Sequence, residues 1–414
     1  MGDNIAINGE RLLANLQRFA EIGATPKGGV NRQALTDLDR QARRRLAELA
    51  AKRGFSVFQD EIANLFIRRE GRNPALPPML IGSHLDSQPL GGKFDGALGT
   101  LAAFEVLETL EDHGIETERP VEVVAFTNEE GCRFAPGCMG SMAFAAGELP
   151  ASWQDLRAVD GASLADELAA TLASLPEATM RPLGFPVFAY LEVHIEQGRL
   201  LESEALSIGI VTGIQGTRWL DVELTGQTAH AGTTLLKFRR DPMRVAVQAL
   251  AGLYDHIMPS DERARFTVGR MSLKPGAVNA IPESVRLTID IRHPETPALD
   301  AMEQIIRDSF ARQAGEQDCQ AIVTRIFDMP PAEFPSTMAD TLSACADRLQ
   351  LGSRRMLSGA FHDALFMNRI APAAMIFVPC RDGLSHNELE HVEPDHSIAG
   401  CRLLAAAVLD LCAS

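Results

Sequence analysis

Five separated stretches of the chain carry side chains of the kinds that bind divalent metal ions. They are His84-Leu85-Asp86, Asp95, Glu129-Glu130, His194 and His386. Three imidazoles with several carboxylates suit two borderline divalent cations that share one carboxylate. Two such cations close together, with a further glutamate beside them, can hydrolyse unactivated amide-type bonds. This chemistry requires that the fold bring the five stretches together.

Most of these residues come after a short apolar run of the kind that forms a β-strand. The runs and their residues are 79–81 before His84, 121–126 before Glu129 and Glu130, 187–191 before His194, and 374–378 shortly before His386. In open α/β sheets, ligands bind at the edge formed by the carboxyl ends of the strands. The sequence therefore predicts four strands that each deliver a ligand just past the strand end.

Taken singly, each of these residues also has an ordinary structural interpretation. A lone histidine after an apolar run is usually structural or solvated, and adjacent glutamates are common on exposed loops. Asp95 lies between glycines, which is equally typical of a turn. Only the joint placement at several strand ends favours a metal site.

The local sequence suggests how the ligands divide their work. Glycines flank Asp95 and let the backbone approach the ions closely, as a bridging carboxylate requires. Asp86, two residues from His84, is the natural partner for the second nitrogen of that imidazole. Of Glu129 and Glu130, one can ligate while the other takes a proton from metal-activated water.

Strand-like and helix-like segments alternate in the first half of the chain. Amphipathic helices are expected around residues 12–20 and 35–49, followed by strands at 56–58, 64–68, 79–82 and 121–127, with a helix over 99–110. This order predicts an α/β fold with a mixed, partly parallel sheet and flanking helices.

The pattern changes at about Ser207. Strands are expected at 208–214, 219–224, 266–272, 284–291 and 321–327, and helices at 242–254 and 297–311. Because this α+β unit lies between His194 and His386, it must be an insertion. We expect a metal-binding catalytic domain over residues 1–207 and 328–414, and an inserted domain over 208–327.

Bulk composition excludes several classes of partner. The 414 residues have a formal net charge of −16, which argues against nucleic acid and anionic membrane surfaces. Residues 1–8 show no secretory signal, and no stretch is apolar enough to span a membrane. The seven cysteines are odd in number and scattered. We therefore expect a cytoplasmic protein with reduced, mostly structural thiols.

Several motifs together resemble the metal-dependent amidohydrolases of the hydantoinase/carbamoylase family, which includes N-carbamoyl-L-amino-acid hydrolase, allantoate amidohydrolase and β-ureidopropionase. This family is related to the di-zinc aminopeptidases. The matching segments run in family order over nearly the whole chain and are residues 82–87, 91–96, 128–131, 194–198, 228–234, 279–282, 290–292 and 385–388.

The resemblance implies a role for each candidate metal ligand. Asp95 would bridge two divalent ions (zinc, manganese, cobalt or nickel), with His84 and His194 on one ion and Glu130 and His386 on the other. Glu129 would be the general base, and Asp86, the partner of the His84 ring, would belong to the catalytic group. The fold would be like that of the di-zinc aminopeptidases.

The resemblance also assigns residues to the substrate. Arg292 and Asn279 would bind the substrate carboxylate with Gln197 nearby, as suits the planar fork of arginine. His230 would stabilise the developing oxyanion across a homodimer formed by the inserted lid and dimerisation domain. Gly359 and Ala360 match a loop that lines the substrate pocket. By themselves, Arg292 is also consistent with a surface charge and His230 with a capping or solvated residue.

The chain departs from the family pattern at a few positions. Leu235 and Leu236 stand where proline and a small or sulfur-containing residue are expected, and Cys380 stands where serine is frequent. Phe361 replaces a frequent glycine and either reshapes the pocket or packs in the core. Arg199 replaces a common proline. None of these changes removes a predicted metal ligand.

Four functions remain open from the sequence. The first is hydrolysis of the ureido C–N bond of N-carbamoyl-L-amino acids, and the second is the same chemistry on allantoate or another ureido acid. An aminopeptidase or N-acyl amino acid deacylase is the third, which Gln197 and the His230 segment disfavour. The fourth is a non-catalytic binding protein, which the presence of Glu129 and a full ligand set disfavours.

Overall fold

The computed structural model describes residues 6–413. Residues 1–5 of the amino-terminal segment considered above, and Ser414, lie outside the described residues. The α-helices are α1 Gly9–Ala20, α2 Asp37–Lys52, α3 Ala97–Asp112, α4 Met139–Ala146, α5 Leu164–Ala173, α6 Leu200–Ser203, α7 Pro242–Ser260, α8 Thr296–Glu316, α9 Ser336–Arg348, α10 Ala364–Met367 and α11 Pro394–Cys412.

The strands fall into one large and two smaller sheets. They are β1 Ser56–Gln59, β2 Leu65–Arg69, β3 Met79–His84, β4 Val121–Phe126, β5 Thr179–Met180, β6 Ala189–Ile195, β7 Ile208–Ile214, β8 Gly216–Thr225, β9 Ala229–His230, β10 Arg265–Lys274, β11 Ala280–Ile281, β12 Ser284–His293, β13 Gln320–Met329, β14 Ala332–Glu333, β15 Ser353–Ser358 and β16 Ala373–Val378.

The chain divides into two compact units. Unit 1 contains residues 1–212 and 334–414, and unit 2 contains residues 213–333. The chain thus leaves unit 1, forms unit 2 and returns. The assignment of unit 1 as the catalytic domain and of unit 2 as a lid and dimerisation domain stays a prediction.

Unit 1 is built on a mixed sheet with the order β7-β16-β6-β3-β4-β2-β1-β5. The central pairs β16–β6, β6–β3 and β3–β4 are parallel, whereas β2 pairs with β4 in the antiparallel direction. The prediction of a mixed, partly parallel α/β sheet is therefore confirmed. The three central strands are buried along their whole length, and their carboxyl ends meet at one edge.

Helix α3 is almost entirely enclosed in unit 1. Its residues from Ala97 to Leu110 are buried, and it packs against β3 and β6 on one side and α1 and α11 on the other. Gly99 lies where the helix meets β6, because a Cβ there would stand 2.2 Å from the carbonyl oxygen of Val193. The helix can therefore approach the sheet closely only with glycine at this position.

Unit 2 contains an antiparallel sheet with the order β10-β12-β8-β13 and a two-stranded ribbon of β9 and β11. Helices α7 and α8 pack against the larger sheet and share an apolar core with it. The succession of strands and helices agrees with the inserted α+β arrangement expected from the sequence. None of the described helices combines the length and the apolar character needed to cross a membrane.

The predicted ends of β3 and β6, the strands that carry His84 and His194, were wrong by a few residues. His84 is the last residue of β3, and His194 is the next-to-last residue of β6, so neither lies past its strand. The sequence pattern ended these strands early because polar residues follow the apolar runs. In the structure the main-chain pairing continues through them, for example between His84 and Phe126.

The close approach at Gly99 generates a stability prediction. Gly99→Ala should lower the free energy of unfolding by about 1–3 kcal/mol, because the methyl group overlaps the main chain of β6. Gly252→Ala in α7 is the matched control: it has open space around its Cβ and should be neutral or stabilise by up to about 1 kcal/mol. Scanning calorimetry measures both, and a Gly99 variant as stable as the parent would contradict the packing argument.

Candidate metal centre

His84 is held at the carboxyl end of β3 with one ring nitrogen turned towards the other candidate ligands. Its Nδ1 lies 2.9 Å from the main-chain carbonyl of Asp86, and Thr100 of α3 donates a hydrogen bond to the His84 carbonyl. We expected the Asp86 carboxylate to orient this ring, but its Oδ1 is 3.7 Å away. The Asp86 carboxylate instead accepts hydrogen bonds from the main-chain N–H groups of Glu129 and Glu130.

Asp95 stands at the centre of the cluster. Its Oδ1 lies 3.1 Å from His194 Nε2 and 3.6 Å from His84 Nε2, and its Oδ2 lies 3.7 Å from His386 Nε2. The glycines of this loop allow the approach: a Cβ on Gly96 would lie 2.3 Å from the His84 ring. One carboxylate therefore faces three imidazoles from three separate parts of the chain.

Two sets of ligand atoms share Asp95. One set is His84, Asp95 and His194, and the other is Asp95, Glu130 and His386. Within each set the ligand atoms lie within 4.8 Å of one another. His386 Nε2 is 3.4 Å from Glu130 Oε2, and its side chain is 53% exposed, whereas His84 and His194 are buried. The two sets therefore differ in their access to solvent.

The hydrogen bonds of His84 and His194 leave the second nitrogen of each ring available to a metal ion. The Nδ1 atoms of His84 and His194 each face a main-chain carbonyl, so each Nδ1 carries the proton and each Nε2 offers a lone pair. Both Nε2 atoms are buried and have no hydrogen-bond partner among residues 6–413. Two unpaired nitrogen lone pairs beside a carboxylate are what a divalent cation would satisfy.

The charges of the cluster support the same interpretation. Burial raises the pKa of Glu130 to about 8, and repulsion by Asp95 adds to this rise. Burial also raises the pKa of Asp95, but the attraction of His194 and His84 outweighs it and holds that pKa well below its usual range. Several carboxylates thus crowd one buried site, where cations would offset their repulsion.

Glu129 lies beside both ligand sets without belonging to either among the described residues. Its Oε2 is 3.5 Å from His84 Nε2, and Cys138 Sγ lies 3.7 Å from its Oε1. Burial raises the pKa of the Glu129 carboxyl well above its ordinary value, His84 opposes this rise, and Asp363 adds to it. A carboxyl group with a raised pKa close to the ligands has the character of a general base.

Three polar residues that the sequence did not single out for this purpose contact Glu130 or Asp95, and a fourth contacts Ser83, the residue before His84. Gln88 donates through its main-chain N–H and its Nε2 to the Glu130 carboxylate, and Ser385 donates to Asp95 Oδ2 over 2.7 Å. Glu390 accepts from the main chain at Asp95, and Glu192, two residues before His194, accepts from Ser83. Proximity to the motifs was the only sequence signal for these residues.

Gln197, predicted to lie near the substrate, contacts the candidate ligand Asp95 and the neighbouring Ser385. Its Nε2 donates to Asp95 Oδ2 over 2.9 Å and to Ser385 Oγ over 3.1 Å. Its main chain has a positive φ of 56°, which an asparagine or glycine adopts more readily. The structure therefore brings Gln197 to the cluster, and its substrate role stays a prediction.

The loop after β15 carries the predicted pocket residues Gly359 and Ala360. Ser358 Oγ accepts a hydrogen bond from the Ala360 N–H and lies 3.1 Å from His362 Nε2. The ring of His362 is 4.4 Å from that of His194, so the loop lies against the candidate metal centre. Phe361 is half-buried.

The remaining predicted substrate residues lie in unit 2. His230 is exposed in β9, which pairs with β11, and the main chain of Asn279 accepts a hydrogen bond from Ala231. Arg292 in β12 donates through Nε and Nη2 to the two carboxylate oxygens of Asp290. His230 and Asn279 are therefore neighbours on the ribbon, while Arg292 lies in the larger sheet.

The departures from the family pattern fall in different environments. Leu235 and Leu236 are 62% and 65% exposed, so they are on the surface of unit 2. Cys380 is buried, and Arg199 is exposed and pairs with Asp382. None of these four side chains belongs to the two ligand sets.

Comparison with known proteins agrees with the geometry of the centre. The family model "Peptidase family M20/M25/M40" matches residues 80–410. An N-carbamoyl-L-amino acid amidohydrolase of Geobacillus stearothermophilus is 37% identical over 98% of this chain and 99% of that protein. A ureidoglycolate hydrolase of Arabidopsis thaliana is 32% identical over 99% of this chain and 88% of that protein.

A solved structure is similar over the whole length. It is an amidase of the hydantoinase/carbamoylase family from Burkholderia multivorans, with a TM-score of 0.93, 40% identity and coverage of 99% of both chains. The family match, the near-complete coverage of the relatives and this structural similarity show the family. The chain belongs to the metal-dependent M20 peptidase family and, within it, to the hydantoinase/carbamoylase amidohydrolases.

Proposed function

We propose that the protein is a dinuclear metal hydrolase that cleaves the ureido C–N bond of N-carbamoyl-L-amino acids. The observation that carries the proposal is the pair of ligand sets sharing Asp95, with Glu129 beside them and outside both. The curated relatives named N-carbamoyl-L-amino acid amidohydrolases support the substrate class.

His84 and His194 would hold one ion and Glu130 and His386 the other, with Asp95 between them. A ligand set of imidazoles and carboxylates suits zinc, manganese, cobalt or nickel. When bound, such ions would polarise the ureido carbonyl and acidify water. The unpaired Nε2 atoms of His84 and His194 support this assignment, because each already has its other nitrogen fixed by a carbonyl.

Glu129 acts as the base in this proposal. Glu129 takes a proton from the attacking water and passes it to the departing nitrogen. The Asp86 carboxylate holds Glu129 in place by accepting a hydrogen bond from the Glu129 main-chain N–H. One water is consumed as ammonia leaves, and the remaining carbamate then loses carbon dioxide to give the free amino acid. No further reactant is needed.

A second candidate substrate is another ureido acid. The ureidoglycolate hydrolase of Arabidopsis thaliana covers nearly the same length, and allantoate and β-ureidopropionate carry the same ureido group. The metal centre and Glu129 would act alike on all of them. Only the residues that bind the rest of the substrate would differ.

The activity prediction is tested with the intact protein. We expect metal-dependent ammonia release from N-carbamoyl-L-amino acids above that from allantoate, ureidoglycolate and dipeptides, with manganese, cobalt or zinc added. Glu129→Gln should retain metal and lose kcat by about two to four orders of magnitude, as expected when a general base is removed. Activity on dipeptides alone, or a Glu129→Gln variant of near-normal rate, would contradict the proposed chemistry.

We also propose that Arg292 binds the substrate carboxylate, with Asn279 and His230 contributing from the ribbon of unit 2. Asp290 supports this role because it fixes the guanidinium by two hydrogen bonds, and Trp219 Nε1 in turn donates to Asp290 over 2.9 Å. A guanidinium held in one orientation can bind a carboxylate with little further loss of entropy.

Arg292→Ala should raise KM about 30-fold or more while changing kcat less, because a carboxylate loses a charged partner worth about 2–5 kcal/mol. Arg286→Ala is the matched control, since Arg286 lies on the same strand and its Nε contacts both carboxylate oxygens of Asp221 at an exposed position. Steady-state kinetics of both variants separates substrate anchoring from loss of a strand ion pair. Equal KM values in the two variants would remove Arg292 from the site.

We further propose that the protein forms a homodimer through unit 2 and works in a reducing compartment such as the cytoplasm. Unit 2 exposes Val247, Tyr254 and Met258 on one face of α7, beside the edge strand β10. Such an apolar face is typical of an interface between subunits. All seven cysteines are free, which supports the reducing compartment.

The interface prediction is tested by light scattering. The double change Val247→Glu and Tyr254→Glu should halve the mass in solution, because it places charges on the apolar face of α7. Leu90→Glu, at a position in unit 1 that is 61% exposed, should leave the mass unchanged. A parent protein that runs as a monomer would refute the dimer proposal.

A further inference from the structure

Glu390 is a buried carboxylate with unusual partners. Only 2% of the residue is exposed, and its Oε1 accepts hydrogen bonds from the main-chain N–H groups of Phe94 and Asp95 over 2.8 and 3.1 Å. Its Oε2 is buried and finds no hydrogen-bond partner in the described part of the chain. A carboxylate is seldom buried without a basic partner unless its position has another use.

The loop of Asp95 rests directly on this carboxyl group. A Cβ on Gly92 would lie 2.0 Å from Glu390 Cδ and 2.1 Å from its Oε1. Glycine at position 92 is therefore required for the contact, and any side chain there would push the loop and the carboxylate apart. The contact therefore depends on two residues, Glu390 and Gly92.

Glu390 also belongs to the segment that carries another candidate ligand. The turn after His386 is closed by a hydrogen bond from the Glu390 N–H to the Asn387 carbonyl. At the other end of the same segment, Ser385 donates to Asp95 Oδ2. The segment after β16 therefore holds Asp95 at two points, its side chain through Ser385 and its main chain through Glu390.

We propose that Glu390 is a positioning residue for the metal centre, which fixes the main chain of Asp95 relative to the segment bearing His386. The inference rests on the proposed dinuclear function. Hydrogen bonds from N–H groups to a carboxylate are short and strong, so they define where the loop lies. Asp95 can belong to both ligand sets only if its carboxylate stays between His386 on one side and His84 and His194 on the other. Glu390 restrains it there.

The test measures metal binding in the absence of substrate. Competition with a chromogenic chelator gives the dissociation constant for zinc of the parent and of Glu390→Ala, Glu390→Gln and Gly92→Ala. Glu390→Ala should bind zinc about 10- to 100-fold more weakly, as expected for the loss of a partner that orients a ligand. Glu390→Gln keeps an acceptor oxygen and should lose less, while Gly92→Ala should resemble Glu390→Ala.

Glu388→Gln is the matched control. It removes one negative charge from the same segment, and its described ion pair is with the exposed Lys27 at 3.7 Å. It should bind zinc as the parent does. Excess zinc should restore most of the kcat of Glu390→Gln, because a weakened site fills again at high zinc concentration.

The outcomes separate the inference from the proposed function. If the parent binds zinc and the Glu390 and Gly92 variants bind it equally well, Glu390 has no positioning role and the proposed function stands. The same conclusion follows if these variants only melt at a lower temperature, with an unchanged zinc-induced rise in Tm. If the parent itself binds no zinc, manganese, cobalt or nickel, both the inference and the proposed function are refuted.

Discussion

The structure depends on the placement of one carboxylate, that of Asp95, among three imidazoles. Its two oxygens face different histidines, so the loop that carries it must be fixed to within a fraction of an ångström for both ligand sets to form. The carboxyl edge of a parallel sheet makes this possible because β3 and β6 run side by side and deliver His84 and His194 at the same level. Other parts of unit 1 hold Asp95 beside these two rings and Glu130 beside His386.

Buried polar side chains do much of this holding. Arg32 donates to the carbonyl of Leu85, between His84 and Asp86, while Arg43 contacts Thr127 just before the Glu129-Glu130 pair. Asn64 also accepts from the Thr127 N–H. Because loops lack the regular hydrogen bonds of helices and strands, such contacts replace them and restrict the loops to one conformation. Removing one partner of a buried hydrogen bond costs about 1–3 kcal/mol, so these loops resist displacement.

The candidate ligands could be predicted because they depend on features that a sequence displays directly. Apolar runs predict strands, strand ends meet at one edge, and histidines and carboxylates at those ends are visible as residue types. Strand bounds were less accurate, as His84 and His194 show, since pairing between strands decides where each ends. The mixed sheet and the inserted antiparallel unit could be predicted from the order of elements alone.

The supporting residues could not be predicted because their roles arise from tertiary contacts. Glu390 accepts a hydrogen bond from the N–H of Asp95, which lies 295 residues earlier in the sequence. The residues around Glu390 in the sequence give no sign of this contact. Asp86 shows the converse error: sequence proximity to His84 suggested a bond from its carboxylate, yet that group reaches the Glu129-Glu130 main chain. Spacing along the sequence identifies which residues could bind a metal ion or move a proton. Which of them hydrogen-bond to one another is decided only when the loops pack.

The division of the chain into two units has a chemical consequence. All the candidate metal ligands and Glu129 lie in unit 1, whereas Arg292, Asn279 and His230 lie in unit 2. In the proposed function, bond cleavage and recognition of the substrate's carboxylate would be encoded in separate compact units, each with its own apolar core. Substitutions in unit 2 would then change which ureido acid is accepted without disturbing the buried carboxylates of unit 1, whose packing tolerates little change. One metal centre in unit 1 would serve several ureido acids, and unit 2 would set the choice among them.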